Sequence, residues 1–246
     1  MKNILASLLF VLFLTGCKKD VPAEQDSIVT DSIAGTDAEA EPDLKVEDSN
    51  AAEFAGGTVT ALLDGFKKST HEPDTLLKPP VVINTQKQKL VFKNINPYAQ
   101  KGYHDEDEMF YTNLGYSKKI DKHLLFVEYY EGDSYFLIDH ATAKTDTING
   151  MPNFSPDAGK MISYYISPYN ERKYLLSAEV TVFDLAKNGT VRLHSDTYDY
   201  IPCEIRWKGN NTILIKALEG DDYDKMQSDT ISKNNYNYLY KKIMLK

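Results

Sequence analysis

From Val81 onward the chain alternates short apolar or β-branched runs with clusters of turn residues. Runs of strand length are Val81–Asn84, Lys89–Phe92, 124–130, 134–139 and Thr145–Ile148, then 161–166, 179–185, 190–194, 212–216 and 237–245. Val, Ile, Thr, Tyr and Phe dominate them, and all 17 tyrosines fall between Tyr98 and Tyr240, which suits side chains packing on a pleated surface. Short strands at this spacing predict an all-β domain, built as a sheet array, sandwich or barrel. One stretch departs from the pattern. Val59, Leu62, Leu63 and Phe66 recur at helical spacing behind Thr58, with Lys67 and Lys68 following. That predicts one short N-terminal helix packed on the sheet.

The first residues obey a different rule. Met1-Lys2-Asn3 is a short basic start, residues 4–14 are almost unbroken apolar, and Leu14-Thr15-Gly16-Cys17 follows. The apolar run has the length of a secretory signal core and is too short to span a bilayer. Leu14 to Cys17 resembles a bacterial lipobox, whose cysteine becomes the first mature residue and whose thiol accepts a diacylglycerol. The resemblance implies a signal peptide at 1–16, lipidation at Cys17 and attachment to a membrane. Acyl chains contribute about 0.8 kcal/mol per buried CH2, so two or three hold a protein firmly. Lys18 stands where an inner-membrane retention aspartate would, which favours the outer membrane, on its periplasmic face or at the cell surface.

Charge separates the next segment from the rest. The chain's formal net charge is −8, and residues 18–53 hold eleven acids against three bases, while 54–246 are nearly neutral. Residues 18–53 carry no aromatic side chain, so burial cannot offset the entropy of ordering them. Residues 17–53 therefore read as the lipidated cysteine and an acidic, disordered tether with a mean reach of about 35 Å. Residues 54–246 read as the β-rich domain. At 42% apolar and 11% aromatic, the chain has enough to bury a core there, and its acidity argues against nucleic acid as a partner.

Three stretches of the domain share a plan: an aromatic residue, a polar turn, then an apolar strand. They are Tyr116 to Leu124, Phe154 to Ile162 and Trp207 to Ile213, with aromatics 38 and 53 residues apart, a spacing that brackets a propeller blade. Phe154-Ser155-Pro156-Asp157-Ala158-Gly159-Lys160 resembles the Phe-Ser-Pro-Asp-Gly-Lys hairpin of TolB-type β-propeller blades, with Ala158 inserted, and more faintly the Asp-box of sialidases. In both families the motif is structural: Asp157 would accept backbone N–H bonds and Gly159 would take a positive φ. The stretch from Tyr116 to Ile162, with its Tyr-Tyr-Glu-Gly-Asp segment before the hairpin, is also similar to uncharacterised bacterial envelope proteins. The expected fold is all-β, a blade-like antiparallel sheet array forming an incomplete or small β-propeller-like domain, since 54–246 has room for about four blades.

Signatures of catalysis are absent from the sequence. None of the five histidines forms HExxH or a second His at metal-ligand spacing, and GxSxG, Walker A and GxGxxG loops are missing. No catalytic residue, metal site or cofactor is therefore expected. Cys203, the thiol left after Cys17, reads as a small buried residue. The acidic runs 104–108 and 221–224 read as solvated loops, and Lys118, Lys119 and Lys122 as a solvated turn. The best candidate for binding is Tyr129, Tyr130, Glu131 and Asp133, at the turn between two strands. Rings that stack beside carboxylates that accept hydroxyl or amide protons suit a glycan or peptide. The resulting expectation is a noncatalytic envelope lipoprotein whose β-domain binds a protein or glycan partner. The alternatives are a glycan-active hydrolase using loop carboxylates, or an accessory subunit of an envelope assembly.

Overall fold

Where both alternating sets of a strand are apolar, both faces of its sheet must be covered, and that requirement organises this fold. The computed structural model describes residues 44–68, 79–98, 102, 104–130, 132–167, 176–185, 190–228 and 236–246. Its elements begin with β1 (Lys45–Asp48), α1 (Ala51–Ala55), β2 (Val81–Asn84) and β3 (Lys89–Phe92). Next come β4 (Met109–Ser117), β5 (Lys122–Tyr129), β6 (Gly132–Asp139) and β7 (Thr145–Ile148). They are followed by β8 (Asn153–Phe154), β9 (Lys160–Ser167), β10 (Ser177–Asp184) and β11 (Val191–Tyr198). The last are β12 (Tyr200–Lys208), β13 (Thr212–Glu219), α2 (Gly220–Ser228) and β14 (Leu239–Met244). The signal peptide, Cys17 and most of the expected tether lie outside the described residues.

The strands form three four-stranded antiparallel sheets and a hairpin. The first sheet runs β4-β5-β6-β7, the second β8-β9-β10-β11, the third β12-β13-β14-β1, and β2-β3 stands alone. The all-β, blade-like expectation holds. Each of the three aromatic–turn–strand stretches is the end of a sheet's first strand, its tight turn and the start of the second strand. Strands expected from alternation are found close to their bounds, except that β11 runs on to Tyr198, whereas β1, β4, β8 and β12 do not show in the alternation. Two of these carry register shifts, between Asn113 and Gly115 in β4 and between Pro202 and Glu204 in β12, and such bulges break the period-two pattern.

The sheets stack in a row. Leu125 and Ile138 pack with Ile83 and Leu90 of the hairpin. Leu124 and Leu137 turn the opposite way, toward Phe154, Met161 and Phe183 of the second sheet. Ile162, Val180 and Val182 then meet Ile205, Trp207, Ile213 and Ile215 of the third. None of these three clusters joins the hairpin to the third sheet.

Two expectations for the N-terminal part are corrected. The tether does not extend to residue 53, because β1 pairs with β14 and completes the third sheet. Its acids meet lysines: Lys241 lies 2.5 Å from Asp48, and Lys242 lies 3.3 Å from Glu47 and 3.6 Å from Glu53. Hydrogen bonds from Lys45 and then Lys242 hold Glu47 below the usual carboxylate range, Lys241 does the same for Asp48, and Lys208 with Ser49 for Glu53.

The short helix is α1, not the stretch around Val59. Asn50 caps it by accepting the Glu53 N–H at 2.9 Å, and Phe54 is buried, with Arg206 4.6 Å above its ring. Residues 58–66 instead form an irregular strap, closed by a turn in which the Phe66 N–H donates to Leu63 O at 3.0 Å, across the first strands of all three sheets. Thr58 exchanges backbone bonds with Trp207 at 2.7 and 2.9 Å, Thr60 donates to Asn153 Oδ1 at 3.1 Å, and Phe66 bridges to Gly115. Gly65 and Gly115, at φ +92° and +117°, make that last contact possible, since a Cβ on either would lie 2.0 or 1.9 Å from a facing carbonyl oxygen. The unpaired edges of β12 and β4 offer the strap's backbone the bonds a helix would have supplied.

Candidate functional site

Antiparallel pairing gives the stack two ends with different chemistry. One end holds the tight turns, and hydrogen bonds join them in order across every sheet. Gln86 of the hairpin turn donates to His140 O at 2.8 Å, and His140 donates to Asp121 O at 3.0 Å. Lys119 Nζ reaches Pro156 O at 2.8 Å, and the Asp157 N–H reaches Asn210 Oδ1 at 3.3 Å.

The Ser155–Lys160 turn is internally saturated. Ser155 Oγ donates to Asp157 Oδ1 at 2.6 Å and accepts from the Lys160 N–H at 3.0 Å, and Asp157 Oδ1 accepts from the Gly159 N–H at 2.9 Å. Asp157 thus plays its expected part. The left-handed residue is Ala158, at φ 63°, rather than Gly159; the inserted alanine takes the position that reverses the chain.

Lys122 is not a solvated turn residue. Its side chain is 3% exposed and its Nζ lies 2.9 Å from Asp139 Oδ2. Burial alone would raise the Asp139 carboxyl, but bonds from Lys122 and Thr142 outweigh it and bring it down to about 2. Beside this pair, Tyr116 donates to Asp121 Oδ1 at 2.5 Å, and His123 Nε2 meets His140 Nδ1 at 3.0 Å. Burial, then the neighbouring His140, depress His123 below its ordinary value. Spacing in the sequence hid this pair, which the β5–β6 register assembles. Among the described residues no group of three or more His, Cys, Asp or Glu side chains is placed to hold a metal ion.

The opposite end carries the residues expected to bind. Tyr129 ends β5, Gly132 and Asp133 begin β6, and Tyr129 pairs with Gly132 in the ladder. Tyr129 is 37% exposed and Tyr130 52%; Tyr129 donates to Asp133 O at 3.3 Å. Glu131 lies outside the described residues. The structure brings further residues to this end that the sequence did not single out. Tyr98, 77% exposed, has its phenol raised first by the Asp105 carboxylate, with Glu108 and Tyr130 adding to it. Tyr129 is raised chiefly by burial, with Tyr165 of β9 and Asp133 contributing. Burial and then Asp133 push Tyr135 up to about 12. The phenols of Tyr98, Tyr129 and Tyr135 are raised above their ordinary value, so at neutral pH they offer rings and O–H donors rather than nucleophiles.

Elsewhere the acidic residues 221–224 belong to α2 rather than to a loop, with Asp221 and Asp222 in the first turn, where the helix dipole favours them. Residues 105–107 form an exposed 3-10 turn. Cys203 is half-buried, its thiol raised by burial and directed at Ile201 O, 3.6 Å away. No described helix is long and apolar enough to cross a membrane. The chain matches no protein-family model, no curated protein and no solved structure.

Proposed function

We propose that this chain is a noncatalytic envelope lipoprotein, held at the outer membrane by a lipid on Cys17, whose β-domain binds a glycan or protein partner at its tyrosine-bearing end. The lipobox-like Leu14-Thr15-Gly16-Cys17 motivates the anchor. The observation that supports the binding role is the gathering of Tyr98, Tyr129 and Tyr130, all exposed, beside carboxylates at one end of the first sheet. Exposed aromatic rings in such a group mark a recognition surface more readily than a packing one.

The test is a glycan array and a panel of purified envelope proteins, probed with the mature lipidated chain in detergent. Binding that is lost in Tyr129→Ala/Tyr130→Ala while the melting temperature holds supports the reading. Binding that survives the double variant moves the site elsewhere, and release of reducing sugar would favour the hydrolase instead. For the anchor, Cys17→Ala should send the protein to the soluble fraction; persistence in membranes would remove that part of the proposal.

A further inference from the structure

The face that the second sheet turns toward the first is divided. On the side of the tight turns it carries Phe154, Met161 and Phe183, all buried in the apolar cluster with the first sheet. Two residues along each strand, on the same face, the chemistry changes. Ser163, Thr181 and Ser195 form one cross-strand row, and Tyr165 pairs with Glu179 in the next, at the tyrosine-bearing end. The row is wired together: Ser195 Oγ donates to Glu179 Oε1 at 2.8 Å and lies 3.1 Å from Thr181 Oγ1. Ser163 Oγ is different. The residue is 1% exposed, and its hydroxyl makes no hydrogen bond among the described residues.

Ser117, beside the tight turn of the first sheet, is in the same state, but Ser163 belongs to the polar row of Thr181 and Ser195. A buried hydroxyl without a partner is destabilising, and alanine would fill the position without that penalty. The outer strand of the first sheet also stops short here, because β7 pairs only as far as Ile148 opposite Tyr135. The outer strand of the second sheet, β11, keeps Ser195, Asp196 and Thr197 exposed. Hydroxyls that both donate and accept, a carboxylate that accepts, and rings for C–H faces are the groups that recognise sugar hydroxyls and pyranose faces. Carboxylates on both sheets, Glu179 and Asp133, disfavour an anionic ligand.

We propose that the ligand of the tyrosine-bearing end is a neutral oligosaccharide, and that the second sheet supplies its polar floor through Tyr165, Glu179 and Ser195 over Ser163. This rests on the binding role proposed above and narrows it to one ligand class held by two sheets.

The experiment is calorimetric titration of the mature lipidated chain in detergent with maltohexaose, cellohexaose, chitohexaose and mannohexaose, and with an oligogalacturonate of equal length as the anionic counterpart. At least one neutral hexasaccharide is expected to bind, with the anionic one weaker by about tenfold or more. Glu179→Gln, which preserves shape, and Tyr165→Ala should each weaken binding by about tenfold. Ser163→Ala should weaken it while leaving the melting temperature equal or higher; a purely structural serine would leave binding unchanged. The proposal is overturned if no neutral hexasaccharide binds, or if binding ignores Glu179→Gln and Tyr165→Ala. Sugar binding sensitive only to Tyr129→Ala/Tyr130→Ala would remove the second-sheet floor and spare the binding role. A protein ligand bound through the tyrosines, with no sugar, would overturn the glycan inference alone. No ligand at these tyrosines would defeat both.

Discussion

The two ends of the stack are made from the same strands and differ in what their polar groups do. At the turn end they bond to one another: the Ser155–Lys160 turn closes on itself, Lys122 and Asp139 pair at 2.9 Å, and backbone and side-chain bonds run from the hairpin to the third sheet. At the tyrosine end, Tyr98 and Tyr130 are more than half exposed; buried hydroxyls without a partner among the described residues do not follow this division, since one is Ser117 beside the tight turn and another is Ser163, midway along β9. Polar groups already satisfied within the protein hold the sheets in line and have little left to offer a ligand. The less self-satisfied end is the one to which the proposed recognition is assigned.

The largest effect belongs to the strap and the first strands it crosses. Trp207 is fully buried, and its Nε1 donates to Asn153 Oδ1 at 2.7 Å, the same oxygen that accepts from Thr60. Trp207→Ala should cost about 3–5 kcal/mol in urea unfolding; a loss under about 1 kcal/mol would mean that the strap does not hold the second and third sheets together.

Next is the buried ion pair at the turn end. Asp139→Asn leaves Lys122 charged and 3% exposed, so it should destabilise by about 3 kcal/mol at neutral pH. Because the folded Asp139 carboxyl lies near 2 against an ordinary 3.8, its contribution is full above pH 3.8 and is lost as pH falls toward about 2. That loss amounts to about 2 kcal/mol. Denaturant midpoints measured down the acid range should show a limb there that Asp139→Asn removes.

A milder acid response belongs to His123. Its value is depressed below 6.5 in the folded protein, so the unfolded chain takes up a proton first. Stability is full above pH 6.5 and declines as pH drops through it toward the folded value. His123→Gln should flatten midpoints between about pH 7 and 5; an unchanged slope would show that the pair with His140 is not proton-linked.

The smallest effect is expected at the opposite end. Tyr130→Ala should change stability by less than about 0.5 kcal/mol, as for an exposed residue outside the core. A loss of the size seen at the turn end would mean that Tyr130 holds the fold together and would erase the contrast between the two ends.

Much of this architecture was legible in the residues. Thr145–Ile148 and Lys89–Phe92 were readable as strands because alternation reports directly which side chains a pleated sheet buries. Tyr116, Phe154 and Trp207 marked the same turn in three successive sheets because that turn must be made in each. Other parts were not legible. The apolar spacing of Val59, Leu62, Leu63 and Phe66 fits a helix, yet the strap is irregular, since its ends bond to the open edges of β4 and β12, which lie far off in sequence. For the same reason β1 looked like tether: its acids are stabilised by Lys241 and Lys242, almost two hundred residues away.

Local pattern therefore determined the class of fold, the position of most strands and the hairpin that bears Tyr129, Tyr130 and Asp133. Tertiary structure decided which chain segments share an end. It brought His123 to His140, Tyr98 to Tyr130 and Tyr165 to Tyr129, and it turned the hydroxyl row of the second sheet toward the first. Periodicity encodes which face of a strand is buried, but the partner across that face is set by packing between sheets, and one strand's sequence carries no record of it.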